Sequence, residues 1–375
     1  MLGTIRERIR RRDRGTRLQS IALLAVMAMV LGACSNAPQS AMDPQGPYAQ
    51  DPHDLIKVVF GLAAFIFVLV QGLIVYTVVK FRRKPEDDAL PVQTHGNTKL
   101  EVFWTAVPAL VLAVLAVPTV QMIFDLRAEP DSPDTMTVEV IGHRWWFEYR
   151  YPDLGIVTAN ELVIPVGRPV RLEMTSLEAG QASNAVIHSF WIPALAGKRD
   201  VVPGRINTLN LQADHAGRYL GQCAEFCGLS HANMRARAVA LDPADWDLWV
   251  AGQQQPAATP AGGAEAAGAA LFANTCVACH TIDGTNAAGI VGPDLTHLMS
   301  RREFAGAIFD LYLRDEAGNF TNQPNLALLA DWVRCAPDLK AMRPTGENAV
   351  GMLCFEDVLS EADAANIAAY LATLR

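Results

Sequence analysis

Twelve residues, Cys223-Ala-Glu225-Phe-Cys227-Gly-Leu-Ser-His231-Ala-Asn-Met234, bring two thiols, an imidazole and a thioether into one short stretch. Soft thiolate and thioether with imidazole form a copper donor set, and the thioether argues against zinc. A blue-copper site uses one Cys and two His, so the second cysteine leaves sulfur available to bridge two coppers. The set is one imidazole short. His188, in the apolar run Val186-Ile187-His188-Ser189-Phe190-Trp191-Ile192-Pro193, is the expected donor. The cysteine pair could instead form a disulfide outside the cytoplasm, but the adjacent His and Met argue against it. Further along, Cys276-Val-Ala-Cys279-His280 has the spacing of covalent haem attachment. Two thiols bond the porphyrin vinyls and the next imidazole ligates iron. A thioredoxin-like redox pair competes for the same spacing; His280 and the lack of a βαβ pattern disfavour it.

These groups must be positioned by a chain of 375 residues with net charge −8, 51% hydrophobic and 19% charged. That length allows two or three domains and the composition excludes a disordered or fibrous chain. Residues 1–33 carry seven arginines against Glu7 and Asp13, leaving the remainder at −13. An acidic body disfavours nucleic acid and suits a basic protein partner.

Residues 58–79 and 102–124 are apolar runs with only Gln71 and Gln121 as strongly polar side chains, each long enough to span a bilayer. They predict a transmembrane helical hairpin over 55–125. Lys80, Arg82, Arg83 and Lys84 between them mark a cytoplasmic loop, which puts everything from residue 125 onward outside. Residues 1–33 read as a signal peptide, with a basic start and an apolar stretch too short to span. Its end, Leu31-Gly32-Ala33-Cys34, resembles the lipobox of bacterial lipoproteins, implying a lipidated Cys34 on the same outer side.

Residues 135–245 alternate apolar and polar positions in short stretches broken by Pro152-Asp153 and Pro165-Val166-Gly167, the pattern of a β-sandwich or Greek-key barrel. Residues 251–270 are nearly all Ala, Gly, Gln and Pro and read as a flexible linker. A small domain, 271–375, carries the haem motif.

The twelve-residue motif, His188-Ser-Phe-Trp-Ile-Pro, Gly142-His143-Arg144-Trp145-Trp146 and the hairpin together resemble subunit II of haem–copper cytochrome c oxidases. The resemblance implies a multidomain membrane protein with a two-helix hairpin and an all-β cupredoxin domain holding the dinuclear CuA centre. Cys223 and Cys227 would bridge the coppers, His188 and His231 would be terminal ligands, and Met234 and the Glu225 carbonyl weak axial ones. The Glu225 side chain would reach a magnesium ion at the subunit I boundary. Trp145 would be the aromatic through which electrons enter. Glu101, read from physics alone as a solvated residue favoured by a helix N-terminus, would sit at the mouth of a proton path in subunit I. One departure stands out: Ala185 replaces the family's usual Asp, so the orientation of His188 must come from another group.

The last domain resembles class I cytochromes c, implying an all-α fold. Gly292-Pro293-Asp294-Leu295 matches the loop behind the proximal ligand, and residues 359–374 match the C-terminal helix. The sixth ligand should be Met352, eight residues before Ser360, with Met342 the runner-up; neither is followed directly by proline. Cys335 and Cys354 then remain. A disulfide closing the Met loop is expected, worth up to ~3 kcal/mol; two unrelated buried thiols are the alternative. His53, His95, His143, His215 and His297 read as surface or helix-end residues.

The sum implied is the electron-accepting subunit of a caa-type terminal oxidase in the bacterial inner membrane. Its redox domains are periplasmic, its donor is a cytochrome c or a bc-type complex, and its oxygen-reducing site lies in a separate subunit I. A CuA-containing nitric oxide reductase subunit would use the same donor module. A membrane-tethered shuttle cytochrome leaves the copper motif unexplained, and a quinol oxidase subunit would lack the copper ligands present here. Eight histidines and the hairpin disfavour nitrous oxide reductase.

Overall fold

The computed structural model describes residues 25–26, 38–83, 92–93, 95–346 and 349–375. Residues 1–24 and 27–33 of the leader, Cys34 and Lys84 lie outside the described residues. Two helices come first, α1 (Pro47–Lys80) and α2 (Thr98–Asp125), of 34 and 28 residues. Their apolar windows have mean hydropathy 2.7 and 2.2 with none of either window buried against protein, so this surface needs lipid. Asn97 caps α2, its Oδ1 accepting from Leu100 N.

α1 starts well before the apolar run, because its first turns lie on protein: Ala49 and His53 are buried. Gln45 N donates to Ala194 O and Asp214 N to Gln45 O, at 2.7 and 2.9 Å, stitching the approach to α1 onto the β domain. Asn210 Nδ2 holds the exit of α2 by donating to the carbonyls of Leu126 and Ala128.

The β domain is a sandwich of ten strands: β1 (Met136–His143), β2 (Trp146–Tyr151), β3 (Ile156–Ala159), β4 (Glu161–Pro165), β5 (Val170–Ser176), β6 (His188–Trp191), β7 (Arg199–Val201), β8 (Asn207–Leu211), β9 (Gly217–Cys223) and β10 (Arg235–Leu241). One sheet has the order β3-β2-β1-β5-β8 and the other β4-β10-β9-β6-β7. β1 runs parallel to β5 and β4 parallel to β10; the other pairs are antiparallel. Val138, Val140, Leu172, Met174, Phe147 and Phe190 fill the space between the sheets. In β10, Ala236, Ala238 and Ala240 are buried in this core, while Arg235 and Arg237 occupy the alternate positions of the period-two strand. α3 (Pro243–Gln253) closes one end, laying Trp246 and Trp249 against Tyr151.

The C-terminal domain is helical: α4 (Gly263–Thr275), α5 (Leu326–Leu339) and α6 (Glu361–Leu371). To this it adds short strands β11 (Thr281–Ile282), β12 (Ala287–Ala288), β13 (Glu303–Phe304), β14 (Phe309–Asp310), β15 (Tyr312–Arg314) and β16 (Phe320–Pro324), paired in sequence order. α5 breaks at Cys335, and Cys335 is bonded to Cys354 with the Cα atoms 4.2 Å apart. Ser360 and Asp363 form a capping box at the start of α6.

The linker expected over 251–270 is mostly helix. Residues 251–253 finish α3 and 263–270 begin α4. The small residues serve a close crossing: a Cβ on Gly268 would lie 2.0 Å from the Asn366 carbonyl oxygen on α6. Phe272 and Tyr370 meet edge-on beside it at 5.8 Å. Gly268→Ala should therefore destabilise this domain by about 1–3 kcal/mol, visible as a lowered thermal midpoint followed at the haem absorbance. The stretch between α3 and α4 is itself bonded, Gln254 Nε2 donating to Leu154 O and Ala257 N to Asp283 O.

Three of the five histidines expected at the surface or at helix ends are buried, His53, His143 and His297, although His297 does cap a short helical turn. His143 Nε2 lies 3.0 Å from Glu148 Oε2 and its ring stacks on Trp146 at 4.2 Å. Burial alone would raise the Glu148 carboxyl, but His143 and Arg150 hold it below its ordinary value. His297 Nδ1 meets the Arg375 carbonyl at 2.8 Å. His143 thus finds its acceptor on the neighbouring strand and His297 far along the chain. His95 and His215 are exposed, as expected.

Candidate copper and haem centres

β9 ends in Cys223, and its partner β6 carries His188, with Phe190 paired opposite Cys223. The loop that follows is closed by Cys223 N donating to Met234 O and tied to β6 by Ala224 N donating to Ser189 O, both at 2.9 Å. This closure folds the predicted donors onto one another. The two sulfurs are 3.8 Å apart; Cys223 Sγ lies 3.9 Å from His188 Nδ1 and 3.3 Å from the Glu225 carbonyl oxygen. Cys227 Sγ lies 3.5 Å from His231 Nδ1 and 3.8 Å from Met234 Sδ. His188, Cys223, Cys227 and Met234 are buried, and His231 is half-buried.

The thiols share a proton unequally. A hydrogen bond from Cys227, opposing burial and aided by His188, holds Cys223 down at about 3, while the same bond pushes Cys227 up. A soft cation would displace the thiol protons on binding. The donor set and its crowding fit a copper pair.

His188 has no hydrogen-bond partner for Nε2 among the described residues. Packing orients the ring instead: a Cβ on Gly142 would fall 2.8 Å from His188 Cδ2, and Phe147 meets the ring edge-on. The group expected to replace the missing Asp is therefore a wall rather than an acceptor.

Trp145, buried at 3% exposure, donates its indole N–H to the Cys227 carbonyl at 2.9 Å. The Glu225 side chain is exposed and accepts from Phe226 N; among the described residues it joins no cluster of His, Cys, Asp and Glu able to hold a metal. Glu101 stands exposed in the first turn of α2.

In the C-terminal domain Cys276 and Cys279 flank the turn after α4, and His280 Nδ1 lies 2.8 Å from the Pro293 carbonyl. That contact fixes the ring and leaves Nε2 for a metal. Gly292 makes room: a Cβ there would lie 2.5 Å from His280 Cε1. Burial lowers the His280 imidazole, against the Pro293 and Asp294 oxygens, favouring the neutral ligand form. Burial also raises the Cys276 thiol to about 11. These residues fit a covalent haem.

Of the two methionines, Met342 packs against the β-domain core while Met352 stands half-buried on the loop before α6. Replacing Met352 by leucine should abolish the thioether–iron charge-transfer absorption, whereas Met342→Leu should keep it; the reverse pattern would exchange their roles.

A set of residues invisible to motif reading joins the two domains. Glu303 of β13 accepts two bonds from Arg237 and one from Arg218, at 2.8–3.0 Å. Glu161 accepts from Arg218 and from the Arg302 and Glu303 amides. Buried Lys340 donates to the carbonyls of Trp145 and Ala305, and burial lowers its ammonium to about 7. Only the alternation that puts Arg237 out of the β10 core hinted at a partner.

A two-helix membrane hairpin, a cupredoxin sandwich with a sulfur-rich donor cluster and a helical domain with a haem-attachment motif define a membrane-bound electron-transfer subunit. Residues 36–122 match the transmembrane domain of cytochrome c oxidase subunit II, residues 154–240 its periplasmic domain, and residues 265–375 the cytochrome c family. Cytochrome c oxidase subunit 2 of Alkalihalophilus pseudofirmus is 34% identical, covering 94% of this chain and 96% of that protein. Quinol oxidase subunit 2 of Bacillus spizizenii is 37% identical, over 63% of this chain and 72% of that protein. The solved periplasmic domain of oxidase subunit II from Bradyrhizobium japonicum is 28% identical, covering 34% of this chain and 96% of that domain with a TM-score of 0.30. The chain belongs to the cytochrome c oxidase subunit II family, in a form with a fused cytochrome c domain. It is a two-pass membrane subunit with an electron-accepting role in a terminal oxidase, and its cofactors are of the CuA and haem c types.

Proposed function

We propose that electrons enter at a haem c attached through Cys276 and Cys279, with His280 and Met352 as axial ligands, and leave through a CuA centre for subunit I. Cys223, Cys227, His188 and His231 would hold that centre, with Met234 and the Glu225 carbonyl as weaker donors, as their clustering supports. When bound, both groups exchange single electrons with little ligand movement. The chain's own residues do the rest. Pro293 fixes the His280 ring, Gly142 and Phe147 fix His188, and the Trp145 indole is bonded to the backbone of bridging Cys227. That last contact carries the reading, because it ties an aromatic facing the haem domain to the copper loop itself.

Subunit I would use these electrons to reduce oxygen to water with proton transport. Glu101 would stand at its proton-path mouth, and the Glu225 carboxylate would bind magnesium at the shared boundary. Residues from 125 onward would face the periplasm of a bacterial inner membrane with Cys34 lipid-anchored, and a cytochrome c or bc-type complex would supply electrons. The test is gas consumption by the purified complex given a reduced donor. Oxygen uptake supports the reading; nitric oxide consumption without oxygen uptake would move the subunit to a nitric oxide reductase.

A further inference from the structure

The segment that carries Met352 is fastened at its base by a covalent bond. We propose that the Cys335–Cys354 disulfide is the positioning device for the sixth iron ligand, and that a dithiol reductant attacking exposed Cys354 releases that ligand. The idea rests on the reading of Met352 as the ligand, and adds what places it and what removes it.

Residues 335–354 form a closed arm. α5 breaks at Cys335, whose extended backbone makes an isolated antiparallel bridge with Cys354 beside the disulfide. Just outside that base, Phe355 N donates to Arg334 O at 2.8 Å. Further along, Arg343 and Val350 form a second antiparallel bridge, each amide donating to the other's carbonyl, at 3.1 and 2.6 Å. Met352 lies on the returning segment between these fastenings, two residues from each. The far end of the arm is held separately, Met342 and Val350 packing on the copper-domain core. Gly351, at φ 99°, presses on Met342: a Cβ there would lie 2.7 Å from Met342 Sδ. Glycine alone takes that conformation readily, and it turns the chain immediately before Met352. Met299 is buried in the haem-domain core and Met342 is engaged by these contacts, which leaves half-buried Met352 as the thioether free to reach iron.

The base fastening differs from the others in being both strong and chemically breakable. Single hydrogen bonds at Val350 and Phe355 hold weakly in water. A cross-link closing a loop of this length restricts the released states by up to about 100-fold. Cys335 is buried and Cys354 exposed, so a thiolate arriving from solvent meets Cys354 Sγ. Attack there joins the reductant to Cys354 and expels Cys335 as a thiolate, which takes up a proton. The second thiol of the reductant then displaces Cys354, which is protonated in turn, and closes the reductant's own disulfide. Two electrons pass from the dithiol to the bridge and none to iron. The freed arm holds Met352 by hydrogen bonds alone, and the sixth position opens to small ligands.

The experiment uses the full chain in its oxidase complex with haem c ferric. It reads the thioether–iron charge-transfer absorption and the rate at which added imidazole binds haem c. Cys335→Ser combined with Cys354→Ser should lose most of that absorption and bind imidazole at least about tenfold faster than the wild type. Dithiothreitol should do the same to the wild-type complex, once the freed thiols are alkylated, the reagent removed and the haem reoxidised with ferricyanide. Mass spectrometry should find the label on Cys335 and Cys354. This arm stands alone should the double variant fail to accumulate. A bridge serving only stability would lower the thermal midpoint of the variant and leave both readouts at wild-type values, which would overturn the proposal. Label absent after dithiothreitol, or present on both cysteines with the absorption intact, would overturn it too. Met352→Leu reads the assignment beneath: if the absorption survives there, Met352 is not the ligand and that reading falls, whatever the disulfide does.

Discussion

Replacing Cys227 by serine should remove the copper centre and spare the haem. Cys227 Sγ is the hub of the cluster, within 3.8 Å of Cys223 Sγ, His231 Nδ1 and Met234 Sδ. A serine hydroxyl is shorter and hard, is not deprotonated near neutral pH, and cannot replace a bridging thiolate for a soft metal. Altering a group that merely orients a ligand costs 10–100-fold in metal affinity, so losing a bridge should cost at least about 100-fold. The near-infrared absorption of the copper pair should vanish and oxygen uptake from a reduced donor should fall by at least about 100-fold. Haem c absorbance should be unchanged, because Cys276 belongs to a separate core. Metal analysis and optical spectra of the same preparation check each part.

The second large effect should come from Glu303→Ala. This carboxylate accepts two bonds from Arg237 and one from Arg218, all between buried or half-buried groups. Deleting it strands a guanidinium in a place with little water, a change that typically costs about 3–5 kcal/mol. The arginines can recover their hydration if the domains part, so the loss should appear first as undocking. Calorimetry should show the single transition of the docked molecule split in two or move to lower temperature. Replacing Glu303 and Arg237 together by leucine and methionine should cost much less, since no charge is left uncompensated.

What could be read in advance was local. The copper donors fall within twelve residues plus one apolar strand, and the haem motif within five, so spacing alone announced the chemistry. The two spans were legible because lipid imposes an unbroken apolar run. Contacts between distant segments were not. Residues 263–270 look like a linker by composition, and only Asn366, about a hundred positions away, shows why Gly268 must be small. His297 looked peripheral because nothing near it names the Arg375 carbonyl as a partner, and His143 because Glu148, five residues on, reaches it only once β1 and β2 pair. Glu303, Arg237 and Lys340 are ordinary charged residues until the domains meet. The first turns of α1 were missed because Pro47 to Asp54 are not apolar enough for lipid; they are held by the β domain instead.

The central claim is that one chain carries two redox centres in series. Copper and haem quantified together on the full-length protein, with its near-infrared spectrum, test it most directly. Two coppers per covalent haem, with the absorption of a mixed-valence pair, is the expected result. Haem without copper, and Cys223 joined to Cys227 as a disulfide, would contradict it and leave a tethered cytochrome.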